Sequence, residues 1–148
     1  MTRRNLKPAV TTPAEWIARE TLPRHEDIKL YPYRCPAGKL TIGCGRNLED
    51  LGISRNEAIY LLDHDIRRVR LELEKAVPAY LALSDRRQAA LIDMCFNLGL
   101  SRFLQFKKML TAVHAGNFPL AADEMLSSRW AKQVGQRAQT LAAMMREG

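Results

Sequence analysis

The sequence of 148 residues predicts an α+β fold, mostly helical, with a small N-terminal β-hairpin lobe and a helical C-terminal lobe joined by a long helix. Three observations predict it. Helical periodicity is lost from Ile28 to Ile42, where aromatic and β-branched residues gather around Pro32, Pro36 and Gly38. From Ile59 to Val77 apolar residues recur at three- and four-residue steps, the signature of one long amphipathic helix. From Ser84 onward the segments read as helices again.

Each element has a local signal. Residues 1–10, MTRRNLKPAV, show no periodic apolar face and read as a flexible basic arm, which leaves residues 11–148 as a single domain. The first helix starts at Thr12-Pro13-Ala14-Glu15: an N-cap hydroxyl, a proline where the missing N–H is harmless, and a glutamate at the capping-box position. It is expected to turn Trp16 and Ile17 inward, and Pro23 is expected to separate or kink the turn leading to Glu26. Cys35-Pro36-Ala37-Gly38 is the expected hairpin turn. A second capping box, Ser54-Arg55-Asn56-Glu57, opens the long helix over about 55–76, with Ile59, Leu62, Ile66, Val69, Leu73 and Val77 on its apolar stripe. Ser84 begins another helix, with Leu91, Met94, Cys95 and Leu98 inward and Gly99 as its C-terminal cap. Phe103, Phe106, Leu110 and Val113 mark a further helix ending at Gly116. Pro119 opens a short helix, and the last runs from about Gln136.

Composition narrows the class. The length suits one domain with a real core, and 47% hydrophobic with 26% charged residues is the balance of a soluble globular protein and not of a disordered tail. No run approaches the roughly 18 apolar residues of a membrane span, and no apolar stretch follows the early arginines, so neither stable membrane insertion nor a signal peptide is expected. Cys35, Cys44 and Cys95 fit no zinc spacing and are expected as reduced thiols of a protein made in a cytosol. His25-Glu26 lacks a second histidine four residues on, and His64 and His114 are far away in sequence, so no metal and no cofactor are expected. A net charge of +7 favours a polyanionic partner. Bacterial cell wall and nucleic acid both qualify, and composition does not choose between them.

The chemistry concentrates in HEDIKLYPYRCPAGKLTIGCGRN, His25 to Asn47. It places an acid, a thiol and a hydroxyl on one turn-rich segment: Glu26, then Cys35 after eight intervening residues, then Thr41 after five more, with Gly43 and Gly45 behind. Taken alone, a glutamate after a helix is a solvated acid, a cysteine is a buried structural thiol, and a threonine suits its strand. The order and spacing of the set argue otherwise. The segment resembles the active-site region of phage-type lysozymes, the bacteriophage endolysins of glycoside hydrolase family 24, where a glutamate follows the first helix, an aspartate or cysteine enters a small hairpin, and a threonine precedes Ile-Gly-x-Gly. The resemblance continues from Ala89 to about Arg137.

It implies a lysozyme-like fold and a muramidase that hydrolyses the β-1,4 bond between N-acetylmuramic acid and N-acetylglucosamine. Glu26 would be the general acid, a role that needs desolvation to keep its proton. Thr41 would hold the attacking water. For Cys35 three readings stay open: a thiolate of lowered pKa that accepts the water's proton, a group that positions the water, or a structural thiol. Phe96 and Asn97, in Met94-Cys95-Phe96-Asn97-Leu98-Gly99, match a segment facing substrate. Arg137, in the stretch from Ser128-Arg129-Trp130 to Gln136-Arg137-Ala138, matches an arginine that pairs with the catalytic glutamate. Arg46 and Asn47 stand where some relatives carry a histidine, and either contact substrate or brace the hairpin. Gly43 and Gly45 are expected either to admit close backbone approach or to take turn conformations. The implied partners are peptidoglycan glycan strands and, for release from the host cytoplasm, a holin-like membrane protein. Nucleic acid drops out, and the chain is expected to act as a monomer. A lytic transglycosylase and a non-catalytic basic helical module that binds wall or nucleic acid are the rival readings.

Overall fold

The structure, a computed structural model, describes residues 9–148, so most of the arm expected over residues 1–10 lies outside the described residues. The chain forms two compact units, residues 1–60 and 61–148.

The first unit opens with helix α1, Pro13–His25. Its capping box closes as the sequence predicts: Glu15 N–H donates to the Thr12 hydroxyl at 3.2 Å and Thr12 N–H donates to the Glu15 carboxylate at 2.8 Å. The turn leading to Glu26 is not a separate piece: Pro23 lies inside α1, which continues to His25, because a proline so near a helix end costs one backbone hydrogen bond and leaves few residues to misplace. Trp16 and Ile17 are not inward; they are 41% and 67% exposed, and α1 buries none of its residues. Its companion elements, three short strands, are too small to cover it.

Strands β1, Lys29–Arg34, and β2, Leu40–Gly43, pair antiparallel, with Tyr33 opposite Thr41 and a bulge between Lys29 and Tyr33. The turn between them is the expected one: Gly38 N–H donates to the Cys35 carbonyl at 2.7 Å and Cys35 N–H to the Lys39 carbonyl at 3.0 Å. A third strand, β3, Arg46–Asn47, adds to the other edge of β2 and makes the expected hairpin a three-stranded sheet. Gly43 and Gly45 take φ of +68° and +84°, which fits the expected turn conformations, and the space where each Cβ would stand is open. Asn47 then caps the single-turn helix α2, Leu48–Leu51.

Helix α3, Arg55–Ala76, has the expected bounds and the expected capping box, with Glu57 N–H on the Ser54 hydroxyl at 3.1 Å and Ser54 N–H on the Glu57 carboxylate at 2.7 Å. Val69, Leu73 and Val77 of its stripe are buried; Ile59, Leu62 and Ile66 are not. A 3₁₀ turn at Tyr80–Ala82 follows, then helix α4, Asp85–Leu98, capped by Ser84 and Gly99. The helix expected from Phe103 through Val113 is two pieces, α5, Leu100–Phe103, and α6, Lys107–His114, because the Phe106 backbone leaves the helical region at ψ 59°. Helix α7, Phe118–Leu126, carries Pro119 in its first turn. Helices α8, Arg129–Val134, and α9, Gln136–Glu147, end the chain.

Within the second unit α7 packs on α6 and α9, and α4 packs on α9. They enclose Leu91, Met94, Phe103, Met109, Met125 and Met145, all essentially inaccessible to solvent. Among the described residues no helix is long and apolar enough to cross a membrane.

Candidate active site

In the first unit the three expected catalytic residues follow one another through α1, the β1–β2 turn and β2. Glu26 is the C-cap of α1; its N–H donates to the Leu22 carbonyl at 2.9 Å and its backbone is already extended, turning the chain toward β1. It is exposed. Thr41 sits on the central strand between Tyr33 and Asn47 and is only 3% exposed. Its hydroxyl donates to the Lys39 carbonyl at 2.9 Å.

Cys35 and Thr41 are brought together by the turn. The backbone N–H of Lys39 lowers the Cys35 pKa; partial burial opposes this, and the Ala37 N–H, the Thr41 hydroxyl and the N–H of Cys35 itself add smaller lowerings. Donors converging on sulfur favour thiolate over thiol. The Thr41 proton is donated to the Lys39 carbonyl, so the Thr41 oxygen retains lone pairs for a water's hydrogen. All three cysteines are free: Cys35 half-buried, Cys44 exposed and Cys95 buried. Cys95 is the chemical opposite of Cys35, since burial pushes its thiol up to about 11.

Two groups absent from the sequence reading hold that turn. Glu49 of α2 accepts from Leu40 N–H at 3.0 Å and from the Arg34 guanidinium, which also donates to the Gly38 carbonyl at 2.9 Å. Asp50 pairs with Lys39 at 3.0 Å. Their sequence signal, two acids after an N-capping asparagine, reads equally well as ordinary helix-start acids.

Arg46 is a brace. Its guanidinium makes a two-pronged bond to Glu57 at 2.7 and 3.0 Å and donates to the Gly52 carbonyl at 3.2 Å, tying β3 to the start of α3. Arg46 and then the Ser54 N–H pull the Glu57 carboxyl down to about 2. Hydrogen bonding to Glu57 in turn pushes the Arg46 guanidinium up.

In the second unit Phe96 and Arg137 line one groove of about 440 Å³, with Asp93 beside them and Leu62, Ile66 and Ile92 as apolar wall. Phe96 is 42% exposed. The guanidinium of Arg137 is held by Asp93, through Nε to the carboxylate at 2.6 Å and Nη2 to its carbonyl at 3.4 Å. The sequence reading missed Asp93, although it stands one helical turn before Phe96 and Asn97 on the same face of α4. Asn97 is anchored at one end: the Trp130 indole N–H donates to its Oδ1 at 2.8 Å. That bond fixes the amide's orientation and turns its NH₂ into the donor for any further partner. Trp130 itself is buried edge-on against Phe106, with ring centroids 6.3 Å apart.

The sequence profile of the phage lysozyme family matches residues 23–147. The SAR-endolysin of Escherichia phage Mu is 30% identical over 124 residues, which are 82% of this chain and 70% of that protein. The endolysin of Acyrthosiphon pisum secondary endosymbiont phage 1 is 28% identical over 118 residues, covering 77% of this chain and 78% of its own length. The profile match takes in Glu26, the sheet and every helix from α2 onward, and with these relatives it establishes that the chain belongs to the phage lysozyme family of lysozyme-type enzymes.

Proposed function

We propose that the chain is an endolysin whose single catalytic domain, residues 11–148, hydrolyses the β-1,4 bond between N-acetylmuramic acid and N-acetylglucosamine in peptidoglycan. The carrying observation is the turn that sets Cys35 beside Thr41, with the Cys35 N–H and the Thr41 hydroxyl both on the Lys39 carbonyl and the Lys39 N–H favouring the thiolate, which makes a poor base a usable one. Cys35 takes a proton from water held by the Thr41 oxygen. The water oxygen bonds to the anomeric carbon as the glycosidic bond breaks, and the leaving oxygen takes the proton of Glu26. Glu26 then holds a carboxylate and Cys35 a thiol, and exchange with solvent restores both.

Phe96 offers a ring edge to a sugar face, and the Asn97 NH₂, oriented by Trp130, donates to an N-acetyl carbonyl. Arg137 contributes through Asp93, and Arg46 acts on substrate only through the sheet it braces. The protein works as a monomer on glycan strands, without cofactor or nucleic acid, after release from the host cytoplasm. A holin-like partner is one route for that release; the name of the phage Mu relative, SAR-endolysin, points to another.

The test is digestion of purified peptidoglycan by the parent and by Glu26→Gln, with mass spectrometry of the released fragments. Hydrated reducing ends from the parent and none from the variant support the proposal. Anhydro ends, lighter by one water, would assign a transglycosylase, and no release by either protein would overturn the enzymatic reading of these residues.

A further inference from the structure

The acids of α2 are joined to the Cys35 turn by bonds that the reaction itself does not use. We propose that Glu49 is a positioning residue for the water-activating group: from α2 it clamps both ends of the Cys35–Lys39 turn and so fixes the Lys39 peptide, whose carbonyl holds the Cys35 N–H and the Thr41 hydroxyl. The inference rests on the reading of Cys35 and Thr41 as the pair that handles water.

The clamp has two arms. One oxygen of Glu49 accepts the Leu40 N–H, which fixes the chain one residue past Lys39, and the same oxygen takes the Arg34 guanidinium, which fixes it one residue before Cys35. Arg34 passes the restraint on to the Gly38 carbonyl in the middle of the turn. Asp50 adds a tether from its carboxylate to the Lys39 ammonium. Lys39 is where these restraints matter most. Its N–H is the largest influence on the sulfur, and its carbonyl accepts from both Cys35 N–H and the Thr41 hydroxyl. A small rotation of the Lys39 peptide therefore moves a donor off sulfur and releases the Thr41 proton together. The charged groups around the turn are Arg34, Lys39, Glu49 and Asp50, two of each sign, and they pair off as Arg34–Glu49 and Lys39–Asp50. With the charges balanced locally, Glu49 acts on the thiol through geometry and not by adding a net field.

The sequence around Glu49 supports a purpose-built scaffold. Asn47 caps α2 through Asp50 N–H at 3.1 Å and also donates to the Asp50 carboxylate at 2.9 Å, so both acids leave a helix start whose orientation is set by β3. The pairs are more than one-third exposed, and a purely electrostatic contribution from them would be small. The Leu40 N–H bond is the part that water cannot replace without loosening the turn.

The test reads the thiol directly. In a Cys44→Ser background, so that Cys35 is the accessible thiol and buried Cys95 is inert, the rate of iodoacetamide alkylation is followed against pH for the parent, Glu49→Ala and Glu49→Gln. Positioning predicts that the alkylation midpoint moves to higher pH in Glu49→Ala, with thiolate at a fixed pH below the midpoint reduced by about tenfold, the weight of one charge-assisted hydrogen bond. Glu49→Gln, which keeps an acceptor for Leu40 N–H, recovers most of the shift, and kcat for peptidoglycan follows the same order while KM stays near its parental value. Circular dichroism of each variant checks the fold, and if Glu49→Ala unfolds, Glu49→Asp, whose shorter side chain withdraws the carboxylate from the Leu40 N–H, carries the test with a shift in the same direction. Loss of activity with an unmoved alkylation midpoint would overturn the positioning role. An unmoved midpoint with full activity would overturn it as well. A midpoint shifted by Glu49→Ala while the parent itself releases no peptidoglycan fragments would leave the clamp standing and reject the muramidase reading.

Discussion

If Cys35 is the base, its thiolate fraction sets the rate on the acid side of the pH profile, and Cys35→Asp must change that profile in a defined direction. An ordinary thiol titrates near ~8.5, and below its pKa the thiolate falls about tenfold for each pH unit. The Lys39 N–H and the other donors lower the Cys35 value against the opposing effect of burial. A lowered value means that the active thiolate form persists to lower pH than in a free thiol and is lost as pH falls through the folded-state pKa. Aspartate in the same turn starts from an ordinary value of ~3.9, and the same donors favour its charged form too, so it stays ionised down to about pH 5. On the parent's acid limb, the activity ratio of Cys35→Asp to parent should therefore grow by about tenfold for each pH unit lost. Cys35→Ala, with no base at all, should lose about 10² to 10⁴-fold. The assay is the initial rate of reducing-end release from purified peptidoglycan at constant ionic strength, because a chain of charge +7 binds an anionic wall more weakly as salt rises. Superimposable profiles for parent and Cys35→Asp, or a parental rate in Cys35→Ala, would refute the base assignment.

Three further outcomes follow from the same geometry. Glu57, held at about 2 by Arg46, contributes stability in full above the ordinary carboxyl value of ~4.3 and loses it as pH falls toward the folded value. The gap in urea midpoint between parent and Glu57→Gln should close over that window, and a gap unchanged down to its acid end would contradict the Arg46 brace. Trp130→Phe removes the donor to Asn97 Oδ1 and should cost about 1 kcal/mol from the hydrogen bond plus a smaller packing loss, read by urea unfolding; an unchanged midpoint would mean the bond has no net weight. Met125→Ala, at a side chain with no solvent exposure, should cost about 2 to 5 kcal/mol by the same measurement, and a loss below about 1 kcal/mol would show that the helical core closes over the gap.

Much of the chain was legible before any coordinates. Capping boxes at Thr12–Glu15 and Ser54–Glu57, Ser84 and Gly99 around α4, and Pro119 in the first turn of α7 each fix an element within a residue or so. These signals are local, since a cap is satisfied by an N–H two or three residues away and a helical stripe by its own spacing. Where two local signals compete, sequence reading chose wrongly. Pro23 looked like a break but sits where α1 has little left to lose, and the run from Phe103 to Val113 kept helical spacing across a backbone turn at Phe106. The two-residue β3 has too few residues to show any period.

The sequence by itself determined the main helices and the hairpin in their order, the family segment and the identity of the acid, thiol and hydroxyl at 26, 35 and 41. Tertiary structure decided what each polar side chain does. Arg137 meets Asp93 across 44 residues of sequence, Trp130 meets Asn97 across 33, and Glu49 reaches Arg34 across 15. The reason is physical. A chain of this charge offers many possible partners to every guanidinium and amide, and because the interaction falls off within a few ångströms, packing alone selects the one that is used. The same holds for Cys35, whose chemistry depends on where the Lys39 peptide points.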